Sequence, residues 1–243
     1  MNMDTLLQAD TDLLLALNGS SSQFVDGLMI ALTSGFTWIP MYVALLYLVV
    51  KNSETMGQIV LVVACAALCV LLADGIADGI VKPSVERFRP CNDPSLRNLV
   101  QLVDGYCANG KYGFFSAHAA NTFSIAVFFC LLVRSSILSI SLLVWSLVCC
   151  YTRMYLGVHY PLDIAVGLLW GGTVGCVVYF VYYKFREKLS QSKRFVSTQY
   201  TSSGFSHSDV DIVMLVIVLT LIYAVLRGVL PVSYTHLRAH ETS

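Results

Sequence analysis

Long apolar stretches dominate this chain and limit the folds open to it. A helix that crosses a bilayer needs about 20 mostly apolar residues. Six stretches approach that length: 27–50, 56–81, 117–133, 135–152, 164–183 and 210–230. Only 12% of the residues are charged, against about 25% in soluble domains. Backbone polar groups in lipid must be hydrogen-bonded within the structure, so these runs indicate helices rather than a barrel. The sequence therefore predicts an all-α membrane protein with six transmembrane helices.

Two further features refine this prediction. The first apolar stretch contains Gly35 and Pro40, which predict a bend. Residues 3–17 place leucines and three aspartates, among them Asp10, on opposite faces of a helix. This pattern predicts an N-terminal amphipathic helix on the membrane surface. No basic region precedes an apolar core at the N-terminus, so we expect no cleaved signal peptide.

Basic residues between the apolar stretches predict the orientation. Lys51 follows the first stretch and Arg134 follows the third. Five more lie between the fifth and sixth stretches: Lys184, Arg186, Lys188, Lys193 and Arg194. Basic loops stay in the cytoplasm, so the long loop 82–116 and the turn 153–163 are expected on the extracytoplasmic side. We expect loop 82–116 to form a cap between the second and third transmembrane helices.

Loop 82–116 contains two cysteines, Cys91 and Cys107. Oxidising compartments permit disulfides, so the pair forms either a disulfide or two unpaired thiols. Residues 231–243 are polar and lack periodicity, and we expect a non-native or disordered tail there, after a single membrane domain at 1–230. The formal net charge is +0, which gives no support for a nucleic-acid partner.

A histidine and an aspartate form the first candidate catalytic pair. His159 and Asp163 are four residues apart, and Pro161 between them suits the first turn of a helix, so the two side chains share a face. Asp163 can bind one imidazole nitrogen and leave the other free to attack a substrate, as an orienting group does for a nucleophile. A His-Asp pair that only caps the helix is the alternative interpretation.

Three basic residues lie near this pair in the predicted topology. Arg153 ends the fourth stretch six residues before His159, and Lys82 and Arg89 follow the second stretch. A guanidinium matches the geometry of phosphate oxygens, although basic residues at helix ends also serve as membrane anchors. Arg87, two residues before Arg89, is expected to face elsewhere and to be structural.

The start of the third stretch supplies an anion site and an acid. Ser116 precedes the helix and can cap it or donate to a phosphate oxygen. His118 is placed to protonate a leaving oxygen, and Asn121, one turn later, is expected to orient it. These parts predict a phosphoryl-transfer site with no metal and no cofactor, because fixed cations neutralise the phosphate charge.

Acidic residues inside the second stretch leave a different function open. Asp74 and Asp78 are ionisable groups within a membrane segment, which are often functional. They are compatible with a transporter or channel that has an oxyanion-binding site. Asp78 is also the i−4 neighbour of Lys82 and can simply pair with it. Inverted repeats are typical of transporters, and none is evident in the sequence.

The three segments together resemble the type-2 phosphatidic acid phosphatase family, which also includes vanadium-dependent haloperoxidases. The resemblance is carried by K-x6-RP from Lys82, by Ser116-Ala117-His118 and by R-x5-H-x3-D from Arg153, and it covers about residues 56–185. The family usually has Pro-Ser-Gly-His where this chain has Phe-Ser-Ala-His, and Ser-Arg where it has Thr152-Arg153. The haloperoxidases are typically soluble, which disfavours that activity here.

The resemblance implies a role for each matching residue. His159 would form a phosphohistidine, Asp163 would orient it and His118 would protonate the leaving group. The phosphate would be held by a set of four residues: Lys82, Arg89, Ser116 and Arg153. The substrate would be a lipid phosphate or diphosphate, with undecaprenyl diphosphate, phosphatidylglycerophosphate, phosphatidic acid and a lipid A phosphate as candidates. We expect a location in the bacterial cytoplasmic membrane, in contact with membrane lipids, and the charges of the loops predict that the active site is on the periplasmic face.

Overall fold

The computed structural model describes residues 2–186 and 198–229, and regular structure within them is helical. Two isolated antiparallel bridges are the exceptions, Phe88 with Tyr112 and Tyr200 with Ser206. The α-helices, in chain order, are α1 Met3–Leu17, α2 Gln23–Thr33, α3 Ile39–Lys51, α4 Met56–Ile76, α5 Lys82–Val85, α6 Ala117–Val133, α7 Ser136–Tyr155, α8 Pro161–Arg186 and α9 His207–Val229. The all-α prediction is confirmed for these residues.

Four of the helical segments in the described part of the chain are long and apolar enough to cross a membrane. They are α7, α8, α9 and the continuous run Met56–Val85, in which a π-helical turn joins α4 to α5. The segments Gln23–Thr33 and Gly35–Lys51 meet at 66° and make a fifth span if they are taken together. The predicted bend is therefore confirmed, and it lies next to Gly35.

The prediction of six transmembrane helices is not confirmed. Residues 117–133 form a helix as expected, but α6 has only 17 residues. It begins at the Ser116 cap and ends at Arg134, whose φ of 55° stops the helix. Among the described residues the structure supports an integral membrane protein with four spans, or five with the bent pair.

Glycines on α8 bring this helix against α6. Gly167, Gly171 and Gly175 are four residues apart and share one face. A Cβ atom at these positions would lie 2.5–2.7 Å from backbone oxygens of Ser116, Ala120 and Ser124. Small residues at this spacing let membrane helices approach closely. The contact fixes the start of α6 against the start of α8.

Residues 86–116 contain two short 3-10 turns, Pro90–Asn92 and Val103–Gly105. A disulfide joins Cys91 to Cys107, with Cα atoms 5.9 Å apart. Of the two alternatives, the structure therefore contains the disulfide rather than two unpaired thiols. Leu96 and Val100 from this segment pack against Leu14 and Tyr160. Its assignment as an extracytoplasmic cap stays a prediction.

The N-terminal helix is present as expected, but one expectation about it is wrong. Asp10 was placed on the polar face, whereas its side chain is buried and binds Arg87 and the backbone N–H of Leu162. Helix α1 contacts α7 and α8, and Leu14 is fully buried in that contact. The predicted tail at 231–243 lies outside the described residues, as do Lys188, Lys193 and Arg194.

Candidate active site

A tight turn between α7 and α8 carries His159. The turn closes through backbone bonds from Gly157 N–H to the Met154 oxygen at 2.9 Å and from Val158 N–H to the Arg153 oxygen at 3.0 Å. Gly157 has a φ of +66°, and a Cβ atom there would lie 2.4 Å from Val100. Glycine meets both requirements, and the turn returns the chain so that His159 lies beside the end of α7.

His159 and Asp163 lie in contact, as their spacing predicts. The imidazole Nδ1 is 3.4 Å from Asp163 Oδ2. The same carboxylate oxygen accepts the backbone N–H of Tyr160 at 3.0 Å. Both side chains are buried. A carboxylate on Nδ1 favours the tautomer with its proton there, so Nε2 presents a lone pair.

Arg89 lies against that second nitrogen. Its Nη1 is 2.9 Å from His159 Nε2 and 3.3 Å from the Val158 carbonyl oxygen, and its Nε donates to the Gly110 oxygen at 3.0 Å. The bridge between Phe88 and Tyr112 aligns the two backbone segments that hold Arg89. An oxyanion bound by Arg89 would therefore lie next to Nε2.

Arg87 also reaches the His159–Asp163 pair, and the expectation that it faces elsewhere is wrong. Its Nη1 donates to Asp163 Oδ1 at 2.9 Å. Phe88 forms a β-bridge and Arg89 has extended dihedrals, and residues i and i+2 of an extended segment point to the same face. That period was the signal in the sequence for placing Arg87 beside Arg89. Asp10, its second partner, is 77 positions away and carried no such signal.

Arg153 is buried near the same place but turned towards neighbouring hydroxyls. Its Nη1 donates to Thr33 Oγ1 at 2.7 Å and to the Tyr106 hydroxyl at 3.1 Å. Its Nε is buried and has no hydrogen-bond partner among the described residues. A buried donor without a partner is costly, and a phosphate oxygen is the kind of acceptor that would satisfy it. Sequence reasoning missed the two hydroxyl partners.

Ser116 and His118 open α6 beside the start of α8. Ser116 is fully buried, its Oγ accepts the Ala119 N–H at 3.3 Å, and its N–H donates to the Asp163 carbonyl oxygen at 3.1 Å. The capping role weighed for Ser116 is thus present. Burial lowers the pKa of His118 to about 3, with smaller electrostatic contributions from Arg153 and His159, so the side chain is uncharged before substrate binds.

Lys82 lies in the last turn of the Met56–Val85 span. It forms an ion pair with Asp78, so the pairing offered as one reading of Asp78 is confirmed. Its charge also acts on His159. Lys82 therefore belongs to the electrostatic surroundings of the candidate nucleophile.

Asn121 does not have the partner that was expected. Its Nδ2 donates to Asp74 Oδ1 at 2.6 Å, which ties α6 to α4. The Asn121 Oδ1 is buried without a hydrogen-bond partner among the described residues. An orienting role towards His118 therefore has no contact to support it, and Asp74 acquires a partner within the helix bundle.

The surroundings of His159 keep its ring uncharged. Burial lowers the pKa of His159 well below its usual value, and the nearby charges of Arg89, Arg153 and Lys82 lower it further. Both effects disfavour a positive imidazolium. The nucleophilic form is the neutral imidazole, whose Nε2 lone pair faces Arg89 Nη1 at 2.9 Å in this structure. No group of three or more metal-ligating side chains occurs in the described parts of the chain.

The chain matches a known protein family and known relatives. The family model of the PAP2 superfamily matches residues 61–187. The chain is 39% identical over 188 residues to a lipid A 4'-phosphatase of Bacteroides thetaiotaomicron, and the aligned region covers 77% of this chain and 83% of that protein. It is 34% identical over 182 residues to a lipid A 4'-phosphatase of Porphyromonas gingivalis, covering 74% and 75%. No solved structure matches the chain.

Proposed function

Because this chain belongs to the PAP2 superfamily and is a membrane phosphatase of that lipid phosphatase family, we propose that it hydrolyses a lipid phosphate through a phosphohistidine on His159. We further propose that the substrate is a phosphate of lipid A and that the site faces away from the cytoplasm. The reaction requires no metal ion, because side-chain cations hold the phosphate.

One observation carries this proposal. The same imidazole has Asp163 on Nδ1 at 3.4 Å and Arg89 on Nε2 at 2.9 Å. The orienting group and the phosphate-binding group therefore lie on opposite nitrogens of one ring. When the Arg89 guanidinium turns its donors to a phosphoryl group, it releases the Nε2 lone pair beside that group, which is the positioning that phosphoryl transfer needs most.

In the first step, Nε2 of His159 attacks phosphorus and the bond from phosphorus to the lipid oxygen breaks. His118 gives its proton to the leaving oxygen. Burial lowers the pKa of His118 to about 3 in the free protein, so His118 takes up this proton together with the substrate, whose negative phosphate raises the pKa again. Arg89, Arg153 and Lys82 bind the phosphoryl oxygens as charge shifts from the nucleophile to the leaving group.

In the second step, water attacks the phosphohistidine. His118, now neutral, accepts the proton of the water, and the N–P bond electrons return to Nε2. Inorganic phosphate leaves, His118 releases its proton to solvent as its pKa falls again, and both imidazoles are neutral as at the start. Asp163 holds the Nδ1–H of His159 throughout, so that Nε2 keeps the same direction in both steps.

Two features support an extracytoplasmic site. The loop that holds Arg89 also holds the Cys91–Cys107 disulfide, and disulfides persist in oxidising compartments. Helices α6 and α8 both begin at the site, and the basic residues Arg134 and Lys184 lie near their far ends, away from the site. Basic residues of that kind favour the cytoplasmic side.

The choice of lipid A rests on the relatives. Both are named lipid A 4'-phosphatases, and the match extends over three quarters or more of their lengths. The geometry of the site is compatible with any phosphate monoester on a lipid. Substrate selection therefore needs a direct comparison of lipids.

The test is phosphate release from a panel of lipids by the purified full chain, without added metal. The panel comprises lipid A, undecaprenyl diphosphate, phosphatidylglycerophosphate and phosphatidic acid. We expect the highest kcat/KM with lipid A. A higher kcat/KM for another lipid would show that lipid to be the preferred substrate and would leave the proposed reaction unchanged.

The mechanism is tested with His159→Ala, which should abolish phosphate release and the acid-labile phosphoenzyme seen in the unchanged protein. His207, exposed at the start of α9, provides a matched control, and His207→Ala should retain activity. Full activity in His159→Ala would overturn the phosphohistidine mechanism.

A further inference from the structure

Arg87 is held in one orientation by three groups. Its Nη1 donates to Asp163 at 2.9 Å, and its Nη2 donates to Asp10 at 2.6 Å. Its guanidinium carbon lies 3.8 Å from the centre of the Tyr160 ring. Both carboxylates are buried. A planar guanidinium fixed at both ends and stacked on a ring has little freedom to turn.

Asp10 connects the N-terminal helix to the site at a second point. Its Oδ1 accepts the backbone N–H of Leu162 at 2.8 Å, in the first turn of α8. Carboxylates satisfy the unpaired N–H groups at helix starts. Leu162 precedes Asp163, so Asp10 fixes both the guanidinium that binds Asp163 and the backbone that carries it.

These contacts, more than the histidine, set the position of the Asp163 carboxylate. Its bond with Arg87 is 2.9 Å and its bond with the Tyr160 N–H is 3.0 Å, whereas His159 Nδ1 is 3.4 Å away. The shorter contacts are the stronger hydrogen bonds. The imidazole thus takes its direction from a carboxylate that other groups hold in place.

We propose that Asp10 and Arg87 are positioning residues for the phosphatase reaction. They hold Asp163, and through it His159, so that Nε2 faces the phosphate bound by Arg89. The inference rests on the proposed function of His159. Neither residue is in hydrogen-bonding contact with His159 itself, so both act through Asp163. Helix α1 thereby becomes part of the catalytic framework.

The expected kinetic signature separates orientation from binding. The phosphate ligands Lys82, Arg89 and Arg153 are untouched when Asp10 changes, so KM should stay nearly constant. The imidazole loses its fixed direction, so kcat should fall. A change confined to kcat marks an interaction that matters in the transition state.

The experiment uses the purified full chain and an aryl phosphate, whose turnover does not depend on which lipid is preferred. Asp10→Asn keeps an oxygen for Leu162 and removes the charge that faces Arg87. We expect kcat to fall about tenfold, as a slightly misplaced catalytic group predicts, with KM within about twofold. Asp12→Asn, exposed on the same helix, should behave as the unchanged protein.

A second measurement excludes a merely structural role for Asp10. The double variant tests this. If Asp10 acts through Asp163, adding Asp10→Asn to the Asp163→Asn variant should lower its remaining kcat by less than about twofold. A purely structural role would give the same fold-loss in both backgrounds. Arg87→Lys should not restore activity relative to Arg87→Ala, because an ammonium cannot bridge both carboxylates as the guanidinium does.

The outcomes distinguish this inference from the proposed function. The positioning role is overturned if Asp10→Asn keeps the wild-type kcat, or if Asp10→Asn causes equal losses in the unchanged protein and in Asp163→Asn. The phosphohistidine mechanism still stands in that case, provided that His159→Ala is inactive. An active His159→Ala overturns the mechanism and the positioning role together. A rise in KM with unchanged kcat would place Asp10 in substrate binding and would also contradict the proposal.

Discussion

Gly167 on α8 lets this helix lie directly against the start of α6, because it has no side chain. A Cβ atom at this position would lie 2.6 Å from the Ser116 carbonyl oxygen, and ordinary contact begins at 3.4 Å. Gly167→Ala therefore forces α6 and α8 apart by about 0.8 Å, the difference between these two distances. Ser116 and His118 begin α6, and Asp163 lies on α8, so the displacement acts across the site.

The size of the effect follows from this displacement. The Ser116 N–H donates to the backbone carbonyl oxygen of Asp163 at 3.1 Å, and a further 0.8 Å would take that bond beyond hydrogen-bonding distance. A shift of about 1 Å in catalytic geometry can cost about 100-fold in rate, so we expect kcat to fall between about 10-fold and 100-fold. Overpacking costs about 1–3 kcal/mol, partly offset by the roughly 1 kcal/mol that alanine gains over glycine in a helix.

The assay is phosphate release by the purified variant, with its Tm measured in the same detergent. Gly75 on α4 is the matched control, since a Cβ atom there meets nothing within 4 Å. Gly75→Ala should keep full kcat and an equal or higher Tm. If Gly167→Ala also keeps full kcat, the close approach of α6 and α8 does not set the catalytic geometry, and the argument fails.

Four further results are expected. His118→Ala should lose less activity on aryl phosphates than on lipid monophosphates, because aryl leaving groups need less protonation; equal losses would limit His118 to binding. Activity should persist in excess EDTA and be inhibited by vanadate, and a strict Mg²⁺ requirement would contradict the cationic phosphate site. The pKa of His159 lies well below 6.5, so its neutral form persists as pH falls. The loss of kcat/KM that comes from protonation of His159 should therefore occur below pH 6.5, and a loss above pH 6.5 that comes from His159 would contradict this. Cys91→Ser should lower the stability of the protein by about 3 kcal/mol on the chain-entropy account of a bridge over 16 residues, and free alkylation of Cys107 in the unchanged protein would show that the bridge is absent.

Contacts between residues close in sequence were predictable from spacing. The pair Lys82 and Asp78 lies within one helical run, where residues four apart meet whatever surrounds them. His159 lies in the turn just before α8, and it contacts Asp163 in the first turn of that helix. Helix α1 and the bend near Gly35 followed from local composition in the same way. The family followed too, because three short motifs in a fixed order are local patterns.

Hydropathy predicted the type of helix better than the number of spans. Residues 117–133 are as apolar as a spanning helix but stop after 17 residues, and the stretch that begins at residue 27 is divided at 66°. Apolar composition is shared by helices that cross lipid and by helices packed inside the bundle. Length and bending, which distinguish them, depend on caps and on packing partners.

The sequence by itself determined an all-helical membrane phosphatase of this family, because periodicity, hydropathy and motif order are properties of neighbouring residues. Only the tertiary structure decided that Arg87 binds Asp163 and Asp10, that Arg153 turns to Thr33, and that Asn121 pairs with Asp74. These partners are 47 to 120 positions apart. Their meeting depends on how helices and loops that are distant in sequence pack together, which no pattern of neighbouring residues encodes.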